Sequence, residues 1–546
     1  MSGGTFWTKI VGILEEIGAI VVTVLGSLFA MALIYYSALY TEITPLDGDV
    51  PETLRDQALW NILGLLVVFL IFLLVNRLME KYCAKKGEYF VKKIEKIFCI
   101  GSILLATGIG FWWIAVSHVK PIADSGCVCT VAGLFLQGSY PMQLPTYMGY
   151  CPHQYGMVFV LQCMFAVFGI GNYYPWEIMN CLLLPIMLFG GYRILILMKA
   201  GRKSRVLYFI LALGFLPIYF YLPYVYGDFP AAACGVIVLW TTYEFVKAES
   251  GKVRIYSSIG FLSACLLGCT VRRNLLVIII AAGIVLFFTA IKKGSWKPIL
   301  LLVMAVVVVF GAQKGIERYY ESVSGQQIAP GIPMTCYIMM GLQDTGQGPG
   351  WYNGSNYLAM SRFDYDYDAA NAFGKQEIAA RLQQLWEYKP LMVDFFRRKI
   401  LSQWNMPDYF SLHETGHFNV EWEELSGIVQ KIYDGTWTDQ LLWYMDRYQF
   451  VLFVGFGLAV VPMMWNTNRM REIRKMTHVS EMDLQERGME YYLLLIGILG
   501  GLFFSILWEA MSRYVFCYVF LMIPLAAIGI SQALTLVSGL GKKKSK

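Results

Sequence analysis

Two aspartates in this sequence stand just outside long apolar runs, where a carboxylate can be held at the boundary of a low-dielectric region. Asp124 follows the apolar run at 98–118, and Pro121 stiffens the turn between them. Asp228 stands between two later apolar runs. A carboxylate in such a position can act as a general base toward a hydroxyl nucleophile. The alternative is structural, with Asp124 a solvated loop residue and Asp228 the cap of the helix that follows it.

Two pairs of charged residues lie at similar boundaries. Arg272 and Arg273 interrupt the apolar stretch 255–291, which is too long for one membrane span and right for two. Adjacent guanidinium groups can clamp a phosphate, or they can anchor a helical hairpin by reaching lipid headgroups. Glu509 and Arg513 are one helical turn apart, so we expect them either to pair with each other or to reach the same site.

Aromatic and amide side chains occur together in the longest polar segment. Trp351, Tyr352 and Asn353 are adjacent, and such groups stack on sugars and hydrogen-bond to them, although aromatic residues also form belts at membrane interfaces. His153 begins a short apolar run, and we expect it either to bind a polar ligand or to cap a helix. These four residues are candidate substrate-binding groups.

The composition requires a membrane around most of the chain. Of 546 residues, 57% are hydrophobic and only 15% are charged, and the mean hydropathy is +0.52. This apolar surface exceeds what a protein core can bury, so lipid must solvate the rest, and a soluble enzyme is excluded. The net charge of +6 is modest and the basic residues lie between apolar runs, which disfavours nucleic-acid binding. The sequence contains neither a phosphate-binding loop nor a dinucleotide-binding fingerprint.

Twelve apolar runs are long enough to span a hydrocarbon core of about 30 Å. They lie at 18–39, 58–76, 98–118, 177–198, 206–225, 230–247, 255–271, 274–291, 298–314, 442–465, 490–508 and 514–536. A further run at 157–169 is short, and we assign it to a helix in the membrane interface. The predicted fold class is therefore all-α, a polytopic membrane protein with about twelve transmembrane helices.

The basic residues decide the predicted topology. With the short run left out, the positive-inside rule puts every basic cluster on the cytoplasmic side, together with both termini. The clusters lie at 77–96, 199–205, 247–254, 292–297, 469–475 and 542–546. If the short run were counted as a crossing, the cluster at 199–205 would lie outside and every later connection would be inverted. The later basic clusters would then also lie outside, against the positive-inside rule.

This topology divides the chain into four parts. The parts are a transmembrane pair with a basic cytoplasmic loop at 1–97, a transmembrane core at 98–314, an extracytoplasmic segment at 315–441, and transmembrane helices with a basic tail at 442–546. The core contains a first outer loop at 119–176. In the extracytoplasmic segment, helical periodicity predicts helices at 369–385 and 391–404.

Three cysteines share the first outer loop, namely Cys127, Cys129 and Cys151. Their spacing, without histidine partners, is weak evidence for a metal site. The sequence leaves open whether they form a disulfide or remain free thiols.

Taken together, these residues resemble the GT-C superfamily of integral membrane glycosyltransferases, in particular the bacterial branch related to protein O-mannosyltransferases and lipid A aminoarabinose transferases. The likeness covers about 98–530: an aspartate just beyond an early span, an interfacial helix ending in Phe168-Gly169, a second outer aspartate and a large outer segment. Two short sequences, Pro-His-Gln at 152–154 and Gly-Pro-Gly-Trp-Tyr-Asn at 348–353, are similar to motifs in uncharacterised Gram-positive members.

The chain also departs from that family. Ser125 follows Asp124, so the Asp-Glu pair of the protein mannosyltransferases is absent, which argues against a protein acceptor. Two predicted spans precede the one that aligns with the usual first helix, which indicates an added amino-terminal pair.

The resemblance implies a glycosyltransferase that moves a hexosyl or pentosyl group from a polyprenyl-phosphate donor to an envelope glycan, polymer or protein at the outer face of the cytoplasmic membrane. By this likeness Asp124 is the base that activates the acceptor, and Asp228 is a second acidic residue of the site. Neutralising the leaving phosphate suits Arg272 and Arg273. No cofactor is then required and no divalent cation is indicated. One base suffices for inversion in a single step.

Two other classes of function fit the same residues. A transporter or flippase for lipid-linked solutes also needs charged groups near a cavity, but it would show paired halves with broken helices near the midplane. A ligase or polymerase of lipid-linked glycans would use the same arginines on two lipid-phosphate substrates.

Overall fold

The computed structural model of the chain describes residues 3–46, 48, 50–464 and 488–543. The predicted basic cluster at 469–475 and part of the one at 542–546 therefore lie outside the described residues. The helices are α1 (Gly3–Leu39), α2 (Ala58–Ser117), α3 (Ala123–Leu136), α4 (Tyr147–Tyr150), α5 (Tyr155–Phe168), α6 (Tyr174–Leu197), α7 (Arg202–Gly214), α8 (Pro217–Phe220), α9 (Asp228–Lys247), α10 (Gly251–Val271), α11 (Leu276–Lys292), α12 (Lys297–Ser324), α13 (Met334–Gly341), α14 (Ser355–Arg362), α15 (Tyr367–Glu387), α16 (Lys389–Trp404), α17 (Ser411–Glu414), α18 (Gly427–Tyr433), α19 (Thr438–Met464), α20 (Leu493–Leu507), α21 (Phe516–Phe520) and α22 (Met522–Lys543). Two antiparallel hairpins, β1 (Tyr40–Ile43) with β2 (Glu52–Arg55) and β3 (Asp344–Thr345) with β4 (Gly348–Pro349), are the sheets found in these residues, so the all-α class is confirmed.

Ten helices in the described part of the chain are long and apolar enough to cross a membrane, as in a multi-pass membrane protein. They are Ile10–Leu39, Gly87–Ser117, Tyr174–Leu197, Asp228–Lys247, Gly251–Val271, Arg273–Lys292, Lys297–Ser324, Thr438–Met464, Met489–Leu507 and Phe516–Val537. Ten of the twelve predicted runs fall on these helices. Their outward-facing apolar side chains are exposed in the isolated chain because lipid is their natural solvent.

The predicted span at 58–76 lies in the first half of α2. Its apolar stretch, Ala58–Leu74, continues toward a second stretch, Gly87–Ser117, through a break at Gly87, where φ is +79°. Glycine adopts this left-handed backbone without steric cost. The first stretch is shorter than the ten helices above.

The predicted span at 206–225 is broken in the structure. Helix α7 ends at Gly214, and Pro217 begins the single turn of α8. An irregular segment at 221–227 then leads into α9. Glycine and proline end helices, and a count of apolar residues alone does not detect this.

The segment at 325–437, called the cap below, lies at one end of the helix bundle. Asn419 Nδ2 donates to the Val119 carbonyl just beyond α2 (3.0 Å), and Lys399 Nζ donates to the Ile506 carbonyl in the last turn of α20 (2.9 Å). We call this end of the bundle the cap end. The predicted helices at 369–385 and 391–404 are confirmed as α15 and α16, whereas α12 continues past its predicted limit to Ser324.

Basic side chains gather at the opposite end, the basic end. Lys292 in the last turn of α11 pairs with Glu15 in α1 (3.2 Å), and Arg205 in the first turn of α7 pairs with Glu95 in α2 (2.6 Å). The helices alternate between the two ends. The described basic clusters therefore share one end of the bundle, as the predicted alternation of spans requires.

The chain between α2 and α6 leaves the cap end and returns to it. The Tyr174 hydroxyl at the start of α6 lies 3.2 Å from His118 Nδ1 at the end of α2. Helix α5 between them does not complete a crossing. This agrees with the prediction for the run at 157–169.

Candidate functional site

The irregular segment at 221–227 is buried inside the cap end of the bundle and positions the residues that follow it. Its carbonyl groups accept hydrogen bonds from side chains of neighbouring helices. Ser125 Oγ donates to Val225 O (2.8 Å), and Trp176 Nε1 donates to Tyr224 O (3.2 Å). Because these side chains replace the missing helical partners, irregular backbone is stable in the interior.

Asp228 forms a buried ion pair with Arg272. The distance from Asp228 Oδ2 to Arg272 Nη1 is 2.9 Å, and the two side chains are 2% and 12% exposed. The guanidinium also lies over the rings of Tyr226 and Tyr514, with distances of 5.3 and 5.2 Å to their centroids. Gly227 occupies the N-cap position of α9 and Asp228 is the acidic residue of its first turn, so Asp228 is not itself the cap residue.

Arg513 joins the cap to the first outer aspartate. Its Nη1 bonds Glu414 Oε1 (2.5 Å) and the Tyr224 hydroxyl (2.8 Å), and its Nη2 lies 3.3 Å from Asp124 Oδ2. Arg513 and Glu414 are 5% and 4% exposed, whereas the Asp124 side chain is 43% exposed. Asp124 also accepts a 3.4 Å hydrogen bond from the Tyr147 hydroxyl. Asp124 is thus the accessible carboxylate beside a buried ion pair.

Glu509 does not pair with Arg513, contrary to one of the two expectations. It accepts a 3.3 Å hydrogen bond from the Tyr514 hydroxyl and is 9% exposed. Burial and the nearby Asp124 carboxylate raise the pKa of Glu509 to about 7, while the positive charges of Arg513 and Arg272 lower it. A carboxyl group with this pKa exchanges protons near neutral pH.

Arg272 and Arg273 point to different places, so they do not form the adjacent clamp that the sequence suggested. The backbone is extended at Arg272 and turns into a helix at Arg273, which separates their side chains. Arg273 is 44% exposed, and its nearest acidic partner, Glu317, is 4.0 Å away. His153 lies near both arginines, and partial desolvation by the surrounding protein together with their positive charge lowers its pKa, while Asp124 opposes the shift. The imidazole itself stays accessible.

The aromatic and amide residues of the cap divide between packing and exposure. Trp351 is buried and donates from Nε1 to Ser402 Oγ (2.9 Å), so its ring packs against the protein. Asn353 donates from Nδ2 to Gln343 Oε1 (2.8 Å), which fixes its amide within the cap. Tyr352 alone of the three is exposed, at 46%. Its partial burial raises its pKa, and the charges of Glu509 and Asp124 add to the shift.

Lys399 is a buried charge that holds the cap against the bundle. Its Nζ donates to the carbonyls of Gly341, Ile506 (2.9 Å) and Trp508 (2.7 Å), which lie at the ends of α13 and α20. Burial lowers its pKa to about 7, and Glu509 opposes the shift. Unpaired carbonyls at helix C-termini attract a cation, and one lysine satisfies both helix ends here.

Sequence reasoning missed Glu414, Lys399 and the tyrosines at 224, 226 and 514. Glu414 and Lys399 look like ordinary charged residues in a polar segment, and the fold alone brings them to the membrane helices. A signal was present for Tyr224 and Tyr226, because the sequence Tyr-Leu-Pro-Tyr-Val-Tyr-Gly at 221–227 is too polar and too rich in turn residues for the middle of a span.

Potential ligands for metals are dispersed. Within residues 3–46, 48, 50–464 and 488–543, no group of three or more His, Cys, Asp or Glu side chains is arranged to hold a metal ion. Cys127, Cys129 and Cys151 are free thiols in the structure. The Cys151 thiol lies 3.6 Å from the Tyr357 hydroxyl and 3.9 Å from the Tyr337 hydroxyl.

The arrangement at the cap end therefore combines an accessible carboxylate, a protonatable buried carboxyl group and a half-exposed guanidinium, contributed by elements far apart in the chain. Comparisons with protein-family models, with curated proteins and with solved structures find no match to this chain. Its chemistry has to be inferred from these side chains.

Proposed function

We propose that the protein is a membrane glycosyltransferase that transfers a sugar from a polyprenyl-phosphate donor to a hydroxyl group of a cell-envelope acceptor. The observation that carries this proposal is the meeting of Asp124, Asp228, Arg272, Glu509 and Arg513 at the cap end, where membrane helices terminate. A lipid-linked substrate would present its phosphate at this level. The layout's resemblance to GT-C enzymes supports the same chemistry.

Asp124 is suited to act as the base. Its carboxylate is the most accessible of the acidic groups described at this site, and its bonds to Arg513 and Tyr147 are long, so a lone pair is available for an incoming proton. The acceptor oxygen bonds to the anomeric carbon as Asp124 takes the hydroxyl proton. The carbon–oxygen bond to the carrier phosphate breaks on the opposite face, and the configuration inverts.

Arg273 is the better candidate of the two adjacent arginines for binding the carrier phosphate. Arg272 is already neutralised by Asp228 at 2.9 Å, whereas Arg273 is half-exposed and has its nearest carboxylate 4.0 Å away. Among the described residues, Glu317 also pairs with Lys314 (3.0 Å), so Glu317 only weakly neutralises the Arg273 guanidinium, which can still pair with a ligand phosphate. A guanidinium stabilises the leaving phosphate as its negative charge develops.

The basic residues support one assignment of the two ends to the sides of the membrane. Positive residues favour the cytoplasmic side, so the basic end supports an assignment of the cap end to the outer face of the cytoplasmic membrane. Activated sugars on polyprenyl phosphate are the donors suited to that face, because the bond to phosphate already stores the activation that a nucleotide would provide.

The test is sugar transfer by the purified protein in nanodiscs supplied with radiolabelled polyprenyl-phosphate sugars and an envelope extract. Asp124→Asn should reduce turnover at least about a hundredfold, the usual contribution of a general base. Asp439→Asn, in the first turn of α19, is the matched control and should retain full turnover. Unchanged turnover in Asp124→Asn, with an unchanged melting temperature, would eliminate Asp124 as the base.

A further inference from the structure

Four tyrosine rings form a continuous aromatic surface beside Asp124, called the tyrosine wall below. The ring centroids of Tyr352 and Tyr357 are 6.3 Å apart, those of Tyr357 and Tyr150 are 4.7 Å apart, and those of Tyr150 and Tyr365 are 6.2 Å apart. Tyr352 and Tyr365, at the two ends, are 46% and 37% exposed. The two end rings are therefore accessible to a ligand, whereas Tyr150 and Tyr357 between them are half-buried and support them.

The wall adjoins the proposed base. Tyr150 shares the single turn of α4 with Tyr147, whose hydroxyl donates to Asp124 Oδ1 (3.4 Å). Burial is the main cause of the raised pKa values of Tyr352 and Tyr357, and the nearby Asp124 carboxylate adds to both. A molecule lying on the wall would therefore reach the carboxylate that accepts the hydroxyl proton.

Tyr352 is held on a rigid loop. Gly350 has φ of +75°, and a side chain there would lie 2.6 Å from the Gly341 carbonyl, so only glycine fits. The Gly350 carbonyl accepts a hydrogen bond from Ala510 N (2.7 Å), and Trp351 is buried directly before Tyr352. An exposed aromatic ring on so well anchored a loop is preorganised for contact, because little side-chain and backbone entropy remains to be lost.

The chemistry of the wall selects one class of ligand. It contributes rings and hydroxyl groups and no charged side chain, so a strongly charged ligand gains nothing from it. The C–H face of a sugar ring packs against the negative face of an aromatic ring, and the sugar hydroxyls find partners in the hydroxyls of the exposed Tyr352 and Tyr365. Arg273, the proposed phosphate-binding residue, has no contact with the wall among the described residues, so the wall is not part of the phosphate site.

We propose that the tyrosine wall binds a neutral carbohydrate, the acceptor glycan, and holds one of its hydroxyl groups against Asp124. This inference rests on the proposed function and narrows its acceptor from envelope polymers in general to glycans. The donor phosphate and the acceptor hydroxyl then bind to separate groups of the site, and the hydroxyl attacks the anomeric carbon on the face opposite the leaving phosphate.

The test measures binding of neutral oligosaccharides to the full-length protein in nanodiscs by saturation-transfer NMR, with chitotetraose, cellotetraose and maltotetraose as probes. At least one of them should bind, and Tyr352→Ala should weaken its binding about tenfold. Tyr352→Trp, which keeps an aromatic face, should retain binding. Tyr388→Ala removes another exposed tyrosine, 66% exposed in the cap, and should have no effect.

Several results would overturn the inference. They are the absence of binding for all three oligosaccharides, an equal loss of oligosaccharide affinity in Tyr352→Ala and Tyr388→Ala, and binding of a serine-rich peptide in place of the sugars. If sugar transfer from polyprenyl phosphate persists in those cases, the proposed function stands without this acceptor site. Oligosaccharide binding that depends on Tyr352, with no transfer from any lipid-linked donor, would instead support the wall and overturn the proposed function.

Discussion

Arg513 and Arg273 carry the same charge in two different environments. Arg513 is enclosed and holds Glu414 at 2.5 Å, whereas Arg273 is half-exposed with its nearest carboxylate 4.0 Å away. A buried pair that loses one partner leaves an uncompensated charge in the interior. An exposed guanidinium contributes little to stability, so its charge is available for a ligand.

The same substitution should therefore affect different properties at the two positions, namely stability at Arg513 and donor binding at Arg273. Arg513→Met should destabilise the protein by about 3–5 kcal/mol, because Glu414 is left buried without its partner. Arg273→Met should leave the melting temperature unchanged and raise KM for the lipid-phosphate donor. Differential scanning fluorimetry in detergent and donor titration measure the two effects. A large loss of stability in Arg273→Met, with an unchanged KM, would contradict its assignment to the phosphate.

The stability of the protein should depend on pH through Glu509. Burial raises its pKa from 4.5 to about 7, so between these values the folded protein binds more protons than the unfolded chain. The contribution of Glu509 to the free energy of unfolding therefore falls as pH rises from about 4.5 to about 7, by at most about 3 kcal/mol, and is level above that range. Glu42 in the β1–β2 hairpin, also with a pKa of about 7, contributes in the same window. The lowered pKa values of His153 and Lys399 act in the opposite direction.

Melting temperatures of four proteins between pH 5 and pH 8 separate these contributions. Relative to the natural protein, Glu509→Gln and Glu42→Gln should each gain melting temperature as pH rises from 5 to 8, and the double variant should gain both amounts. A constant difference in melting temperature between the double variant and the natural protein over this range would show that neither glutamate titrates there.

The loop of β4 and the residues after it join the cap to the membrane helices. Gly350 bonds Gln343 through its amide and Ala510 through its carbonyl, both at 2.7 Å. Lys399 approaches from the other side, and its Cε would lie 2.7 Å from a Cβ at position 350. No side chain fits at position 350, and the hydrogen bond from Ala510 to the Gly350 carbonyl holds the turn that carries Glu509.

Gly350→Ala should accordingly destabilise the protein by more than about 1 kcal/mol, because both the left-handed backbone and the close approach are lost. Gly346→Ala, in the same hairpin, is the matched control, since a Cβ there meets no atom within 4 Å. Urea titration of the two variants in nanodiscs compares them. Equal stability of the two variants would contradict the packing at Gly350.

Charge and hydropathy predicted much of the architecture but little of the local pairing. Ten predicted spans coincide with long apolar helices, because hydrocarbon thickness imposes a length that a sequence shows directly. The segment at 206–225 was wrongly predicted as one continuous span, because Gly214 and Pro217 break the helix within an apolar run. Asp124 was predicted as the base, but its partner Arg513 lies 389 residues away, and no periodicity specifies that contact.

The orientation of the whole molecule can be tested with two cysteines in sterically open places. Gly346→Cys lies in the cap and Gly251→Cys at the basic end, and neither position has an atom within 4 Å of its Cβ. A membrane-impermeant maleimide should label Gly346→Cys on intact cells and Gly251→Cys only after permeabilisation, since positive residues stay inside. The reverse pattern would refute the topology. Labelling of the natural protein gives the background of its own thiols.

The most direct measurement is a cryo-electron microscopy structure of the protein in nanodiscs with a bound polyprenyl-phosphate sugar. We predict that the phosphate lies at the cap end within hydrogen-bonding distance of Arg273, with the anomeric carbon facing Asp124. Phosphate density at the basic end, or a sugar remote from the Asp124 carboxylate, would contradict the proposal that these converging side chains form a glycosyl-transfer site.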